Sequence, residues 1–127
     1  MLEGHYVEVK RTKQTTVNQV RAVKYIPLVV YSPPSESWYV VSPDEIVRLV
    51  GKKSRGQHTE NPFESATLRL RDLRHCRVSS GEALRQATLD AIACGESARE
   101  LKDAMSRILQ RCKGLAAESI ELVKSLL

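Results

Sequence analysis

The stretch HYVEVKRTKQTTVNQVRAVKYIPLVVY, residues 5–31, holds the alternation and the periodicity on which the fold depends. "HYVEVK" alternates as a strand does: Tyr6, Glu8 and Lys10 project one way, Val7 and Val9 the other. A carboxylate and an ammonium on one side of a strand are uncommon unless they are paired or at work. "KQTTVNQVRAVKY" predicts a helix. Val17, Val20 and Val23 form its apolar stripe, with Tyr25 near the end and Arg21 and Lys24 beside it. Thr15 or Thr16 caps its start, and Pro27 ends it. "PLVVYS" reads as a short buried strand, "PPSES" as a turn, and "WYVV" as the antiparallel hairpin partner.

Further along, "SPDEIVRLVG" is a helix with Ser42 as N-cap, Pro43 at its first position, Glu45 completing a capping box and Gly51 as its stop. "KKSRGQHTEN" is a basic loop. "NPFESATLRLRDLRHC" predicts another helix, opened by Asn61 and Pro62, with Phe63, Ala66, Leu70 and Leu73 at helical spacing. Its "ATLRLR" also alternates as a strand would. From residue 79 the chain reads as helical to its end. Ser79 with Glu82 and Ser97 with Glu100 are capping-box patterns, and Gly95 and Gly114 separate three apolar stripes. The stripes are Leu84, Ala87, Ala91 and Ile92; Leu101, Met105, Ile108 and Leu109; and Leu115, Ile120, Val123 and Leu127. The even spacing of the cysteines does not extend to the rest of the register, so it is read as coincidence rather than as a repeat.

A chain of 127 residues fits one modest domain or a small core with an appendage. It has no long apolar run, so no membrane span is expected, and MLEGHYVEVK lacks the apolar centre of a signal peptide. Cys76, Cys94 and Cys112 are odd in number and match no zinc spacing, which points to reduced thiols in a cytoplasmic protein. Charge divides the chain. Residues 1–78 hold 13 Lys and Arg against 8 Asp and Glu, whereas residues 79–127 hold 7 against 7, so the net +5 lies wholly in the first part. All six aromatic residues lie there too. A basic, aromatic-bearing part is what a polyanionic partner such as DNA would select.

Glu8 and Lys10 suit phosphodiester chemistry. A carboxylate can hold a divalent metal such as Mg²⁺, and an adjacent ammonium can orient a nucleophile and stabilise phosphate charge. The triplet alone is better explained by an ion pair on an edge strand, since E-x-K arises by chance in many sequences. Its context adds to it. "YVEVKRT", the segment "NQVRAVKY" and then "IPLVVY…WYVVSPDEIVRLV" resemble, over about residues 5–50, the second half of the restriction-endonuclease-like PD-(D/E)XK nuclease core. The homing-endonuclease-like branch is the nearest in pattern. The resemblance implies that Glu8 is the metal carboxylate, Lys10 the catalytic lysine, and Gln19 an active-site glutamine on the following helix. One feature departs from that pattern. The family's first metal-binding aspartate lies upstream of the E-x-K strand, and here the seven residues before Glu8 include no Asp. The resemblance therefore implies an N-terminally truncated core, a degenerate relative, or a site completed by another chain.

Lys52, Lys53, Arg55, Gln57 and His58 crowd one loop around Gly56 and are candidates for gripping a nucleic-acid backbone, with Gln57 able to reach a base edge. A solvated basic loop explains them as well. Trp38 and Tyr39 read as strand core rather than as a base-stacking platform. The expectation is an α/β (α+β) protein. Residues 1–76 form a partial restriction-endonuclease-like core, and residues 77–127 a helical extension that packs on it or drives homo-oligomerisation. The expected function is nucleic-acid binding with an incomplete Mg²⁺-dependent endonuclease site. The alternative is a non-catalytic interaction module in which Glu8 and Lys10 form a structural pair.

Overall fold

A computed structural model describes residue 2, residues 4–53, residue 63 and residues 65–111. The fold is mixed α+β. In chain order it comprises β1 (Glu8–Arg11), β2 (Thr16–Val20), β3 (Leu28–Ser32), β4 (Ser37–Val41), α1 (Pro43–Lys53), β5 (Ala66–Arg69), β6 (Arg77–Val78), α2 (Glu82–Ile92) and α3 (Gly95–Arg111). Two 3-10 segments, Pro33–Ser35 and Leu70–Cys76, join β3 to β4 and β5 to β6.

Four strands form the main sheet in the order β1-β3-β4-β6. β1 pairs with β3 in parallel, setting Glu8 beside Leu28 and Lys10 beside Val30. β3 and β4 form the antiparallel hairpin expected from "PLVVYS" and "WYVV", closed by the 3-10 turn with Glu36 in the left-handed region at φ 48°. β3 is apolar along most of its length because both of its faces are covered. Leu28 and Val30, with Tyr39 and Val41 across the hairpin, enter one core. Val29 and Val40 enter a second core on the opposite face.

The first core also takes Ile46, Val47 and Val50 from α1, Val17, Val20 and Leu68 from β2 and β5, and Ala98 and Met105 from α3. On the other face α2 lays Ala91, Leu84 and Ala87 over Val29 and Val40. The sheet is thus the middle layer, with α1, α3 and the small β2–β5 sheet on one side and α2 on the other. α3 packs on α1, and β6 completes the sheet against β4.

Several expectations are corrected. Residues 13–25 do not form a helix. The run Thr15, Thr16, Val17 is β-branched, which disfavours helix and favours strand, and β2 pairs antiparallel with β5 as a separate two-stranded sheet. Residues 66–69 are the strand that "ATLRLR" allowed, followed by a 3-10 segment rather than a long helix; Asn61 and Pro62 lie outside the described residues. Gly51 does not end α1, which runs on to Lys53. Gly51 instead gives room: a β-carbon there would stand 2.7 Å from Met105 Cε and 2.8 Å from Phe63 Cε1.

The predicted capping boxes do not form either. Ser42 does precede α1, and its carbonyl accepts the Ile46 N–H at 2.9 Å. The first-turn N–H acceptor is the Asp44 carboxylate, which takes the Glu45 N–H and the Ser42 hydroxyl. At α2 the cap is Gly81, with φ 79° and no capping side chain. The Ser97 hydroxyl donates to the Cys94 carbonyl from inside α3. The third stripe, from Leu115 to Leu127, lies outside the described residues.

Candidate nucleic-acid interface

β1 is an edge strand of the main sheet. Because Glu8 and Lys10 are in register with Leu28 and Val30, they sit on the face of the first core, where that face runs out toward solvent. Their side chains are 27% and 26% exposed, and Lys10 Nζ lies 3.3 Å from Glu8 Oε1. The pair expected on one side of the strand is therefore present, and its members neutralise each other. Val9, on the opposite face, is 66% exposed, because α2 covers the centre of the sheet and not this edge.

Gln19 is not on a helix. It lies in β2 at φ 54°, exposed, where the β2–β5 ladder slips out of register. Helix and strand present a glutamine differently, so the role implied by the resemblance loses the element that was to deliver it. Mg²⁺ needs near-octahedral oxygen ligands, usually one or two carboxylates with waters and phosphate. Among the described residues no group of three His, Cys, Asp or Glu side chains is arranged to hold a metal ion. At β1 there is one carboxylate, already engaged by an ammonium. The described residues do not by themselves fit the ion.

Lys52 is exposed at the end of α1, and the backbone of Lys53 closes that helix. Arg55, Gln57 and His58 lie outside the described residues.

Among the described residues, further exposed cations lie on and beside the β2–β5 pair. Residues 9–35 contain Lys10, Arg11, Lys13, Arg21 and Lys24 and no Asp or Glu. Arg11, Lys13, Arg21 and Lys24 are exposed, and among the described residues none has a carboxylate partner. They sit at the end of β1 and on the links that lead into and out of β2. β5, which pairs with β2, and the 3-10 segment after it add exposed Arg69, Arg71 and Arg74. Arg69 Nε contacts Asp72 Oδ2 at 3.3 Å. The outward side of this two-stranded ribbon is polar: the Thr67 hydroxyl donates to Asn18 Oδ1 at 3.3 Å, and Thr16 stands opposite Arg69. Sequence reading placed Arg21 and Lys24 beside a helix stripe, and so missed that they flank a ribbon.

A further cluster lies where β4 gives way to α1. Glu45 bridges two elements: its Oε2 takes Arg48 Nη1 at 2.8 Å, and its Oε1 meets His75 Nε2 at 3.1 Å. Cys76 and Cys94 line the adjoining cleft of about 350 Å³, together with Asp90. Burial, reinforced by the Glu45 charge, pushes the Cys76 thiol up to about 11. Burial also raises the Cys94 thiol, with Asp44 and Asp90 adding to the effect. Such thiols are poor nucleophiles near neutral pH.

Compared with known proteins, the chain matches no protein-family model, no curated protein and no solved structure.

Proposed function

We propose that this chain binds nucleic acid through its basic β2–β5 ribbon and flanking links, and that it does not cleave efficiently by itself. The observation that carries this reading is the run of residues 9–35, five basic and none acidic, whose exposed cations have no carboxylate partner among the described residues. Such cations neutralise phosphates and release counterions. A polar two-stranded ribbon can add contacts to base edges, because its dimensions suit a groove.

The resemblance to PD-(D/E)XK nucleases, and with it a DNA substrate, belongs to the same proposal. Glu8 and Lys10 are close together on an edge strand. Cleavage would require a second carboxylate supplied from outside the described residues, by another segment or another chain. Expected outcomes follow for a supercoiled plasmid assay with Mg²⁺ and a metal-free control. The chain retains DNA on a gel at low salt and nicks it slowly or not at all. Arg21→Ala with Lys24→Ala weakens retention. Rapid Mg²⁺-dependent nicking that survives Glu8→Ala would place the chemistry elsewhere, and retention unchanged by the double substitution would remove the ribbon from the interface.

One observation favours a second reading. The direct Glu8–Lys10 contact is what a purely structural pair would make. A partly exposed pair of this kind contributes about 0–1 kcal/mol. On that reading the chain is a non-catalytic interaction module, and Lys10→Ala changes neither DNA retention nor cleavage in any assembly.

A further inference from the structure

We propose that the cleft between the β3–β4 hairpin and β6 receives an unpaired base of single-stranded nucleic acid; this assignment rests on the nucleic-acid reading above. The cleft has a volume of about 670 Å³ and is lined by Tyr31, Trp38, Glu36, Arg77, Ser79 and Ser80 among others. Tyr31 and Trp38 lie opposite each other on neighbouring strands, with ring centroids 4.6 Å apart and planes inclined by 33°. Both are half-buried. They belong to a row that crosses all four strands on one face: Arg11 beside Tyr31, Tyr31 beside Trp38, Trp38 beside Val78.

α2 covers this face at Val29 and Val40. Trp38 and Val78 touch the margin of that core, and beside them and Tyr31 a cleft remains. An aromatic pair there offers a flat apolar surface, and every base has a π-face that can stack on one. Arg77, exposed on edge strand β6 in register with Tyr39 and part of the cleft's lining, and Arg11, exposed at the end of the row, supply charge for phosphates near a stacked base. The hydroxyls of Ser79 and Ser80 can donate to phosphate or to a base edge. The Glu36 carboxylate is an acceptor suited to an exocyclic amino group, such as that on C4 of cytosine. Bases within a duplex are already stacked, and their faces are inaccessible. Only an unstacked base can enter, so the site selects single strands.

Trp38 is the single tryptophan of the chain, so its emission reports directly on the cleft. The probes are an oligodeoxycytidylate of about eight nucleotides, the same strand annealed to its complement, and cytidine monophosphate. End-label anisotropy is recorded in parallel to follow binding wherever it occurs. The expected result is saturable quenching of Trp38 by the single strand, none by the duplex, and quenching by the mononucleotide only at far higher concentration. Tyr31→Ala, its fold checked by circular dichroism, should weaken single-strand binding about tenfold or more. Arg77→Ala, at an exposed position, should weaken it less and lower the salt dependence by about one phosphate contact.

Single-strand binding seen by anisotropy without any change in Trp38 emission would overturn the cleft assignment while leaving nucleic-acid binding in place. Equal affinity for the mononucleotide would overturn the assignment to a strand. Equal quenching by the duplex would overturn the selection for unpaired bases. No binding of any strand at low salt would overturn both this proposal and the reading on which it rests. Should Tyr31→Ala fail to fold, the wild-type quenching and Arg77→Ala still decide.

Discussion

Val17 and Val20, three residues apart in one strand, are both 2% exposed and both face the same core. In a regular strand, residues three apart point to opposite faces. Here the β2–β5 ladder shifts register between them, and Gln19 takes φ 54° to accommodate the extra residue. A β-bulge has placed an apolar pair at helix-like spacing.

The left-handed conformation of Gln19 has a measurable cost. Glycine adopts it freely, whereas a β-branched side chain resists it strongly. Gln19→Val is expected to destabilise by about 1–2 kcal/mol, and Gln19→Gly to be neutral or slightly stabilising. Urea unfolding of the two variants checks this. Equal midpoints for the two would show that the position is not held in that conformation.

Where α1 packs on α3, Gly51 leaves no room for a side chain. Its missing β-carbon would meet the tip of Met105, which can swing aside, and the rigid ring of Phe63, which cannot. Gly51→Ala is therefore expected to destabilise by about 1–3 kcal/mol through overpacking. Combining it with Met105→Ala should recover little, since Phe63 still blocks the space. Thermal unfolding of the single and double variants provides the measurement.

The Cys76 thiol gives a pH signature. Its folded pKa is raised from near 9 to about 11, first by burial and then by Glu45. Below about pH 9 the folded and unfolded forms both hold the proton, and the group contributes no pH dependence. Between about 9 and 11 the unfolded thiol ionises while the folded one does not. Protons are then bound more by the folded state, so stability falls as pH rises. Cys76→Ala should fall less steeply than the wild type across that window, as followed by denaturant midpoints. Parallel curves for the two proteins would contradict the assignment.

How far the sequence was legible varied with how local each cause is. The hairpin of β3 and β4 and the start of α1 at Pro43 follow from neighbouring residues, and they are found where the sequence puts them. β2 was misread because its spacing of Val17, Val20 and Val23 imitates a helix, and the bulge responsible exists only in pairing with β5, about fifty residues away. Gly51 carries the same lesson. A glycine near the end of a helix pattern reads as a stop, and its packing role depends on Met105 from a distant helix. Of the candidate site, the Glu8–Lys10 proximity was legible from strand alternation alone. The ribbon was not, because β5 with Arg69 comes beside β2 only through pairing across about fifty residues. Trp38 was read as core, and it does pack against the second core; its neighbour Tyr31 and the open cleft beside them come from the cross-strand register.

The central claim is that the exposed cations of residues 9–35 and of β5 contact phosphates. The salt dependence of DNA affinity tests it most directly. Anisotropy of a labelled duplex, titrated over a series of salt concentrations, should give a linear log–log plot with a slope of roughly −3 to −5. Removing Arg21 and Lys24 together should flatten that slope by about two. A wild-type affinity indifferent to salt, or no binding even at the lowest salt, would contradict the account.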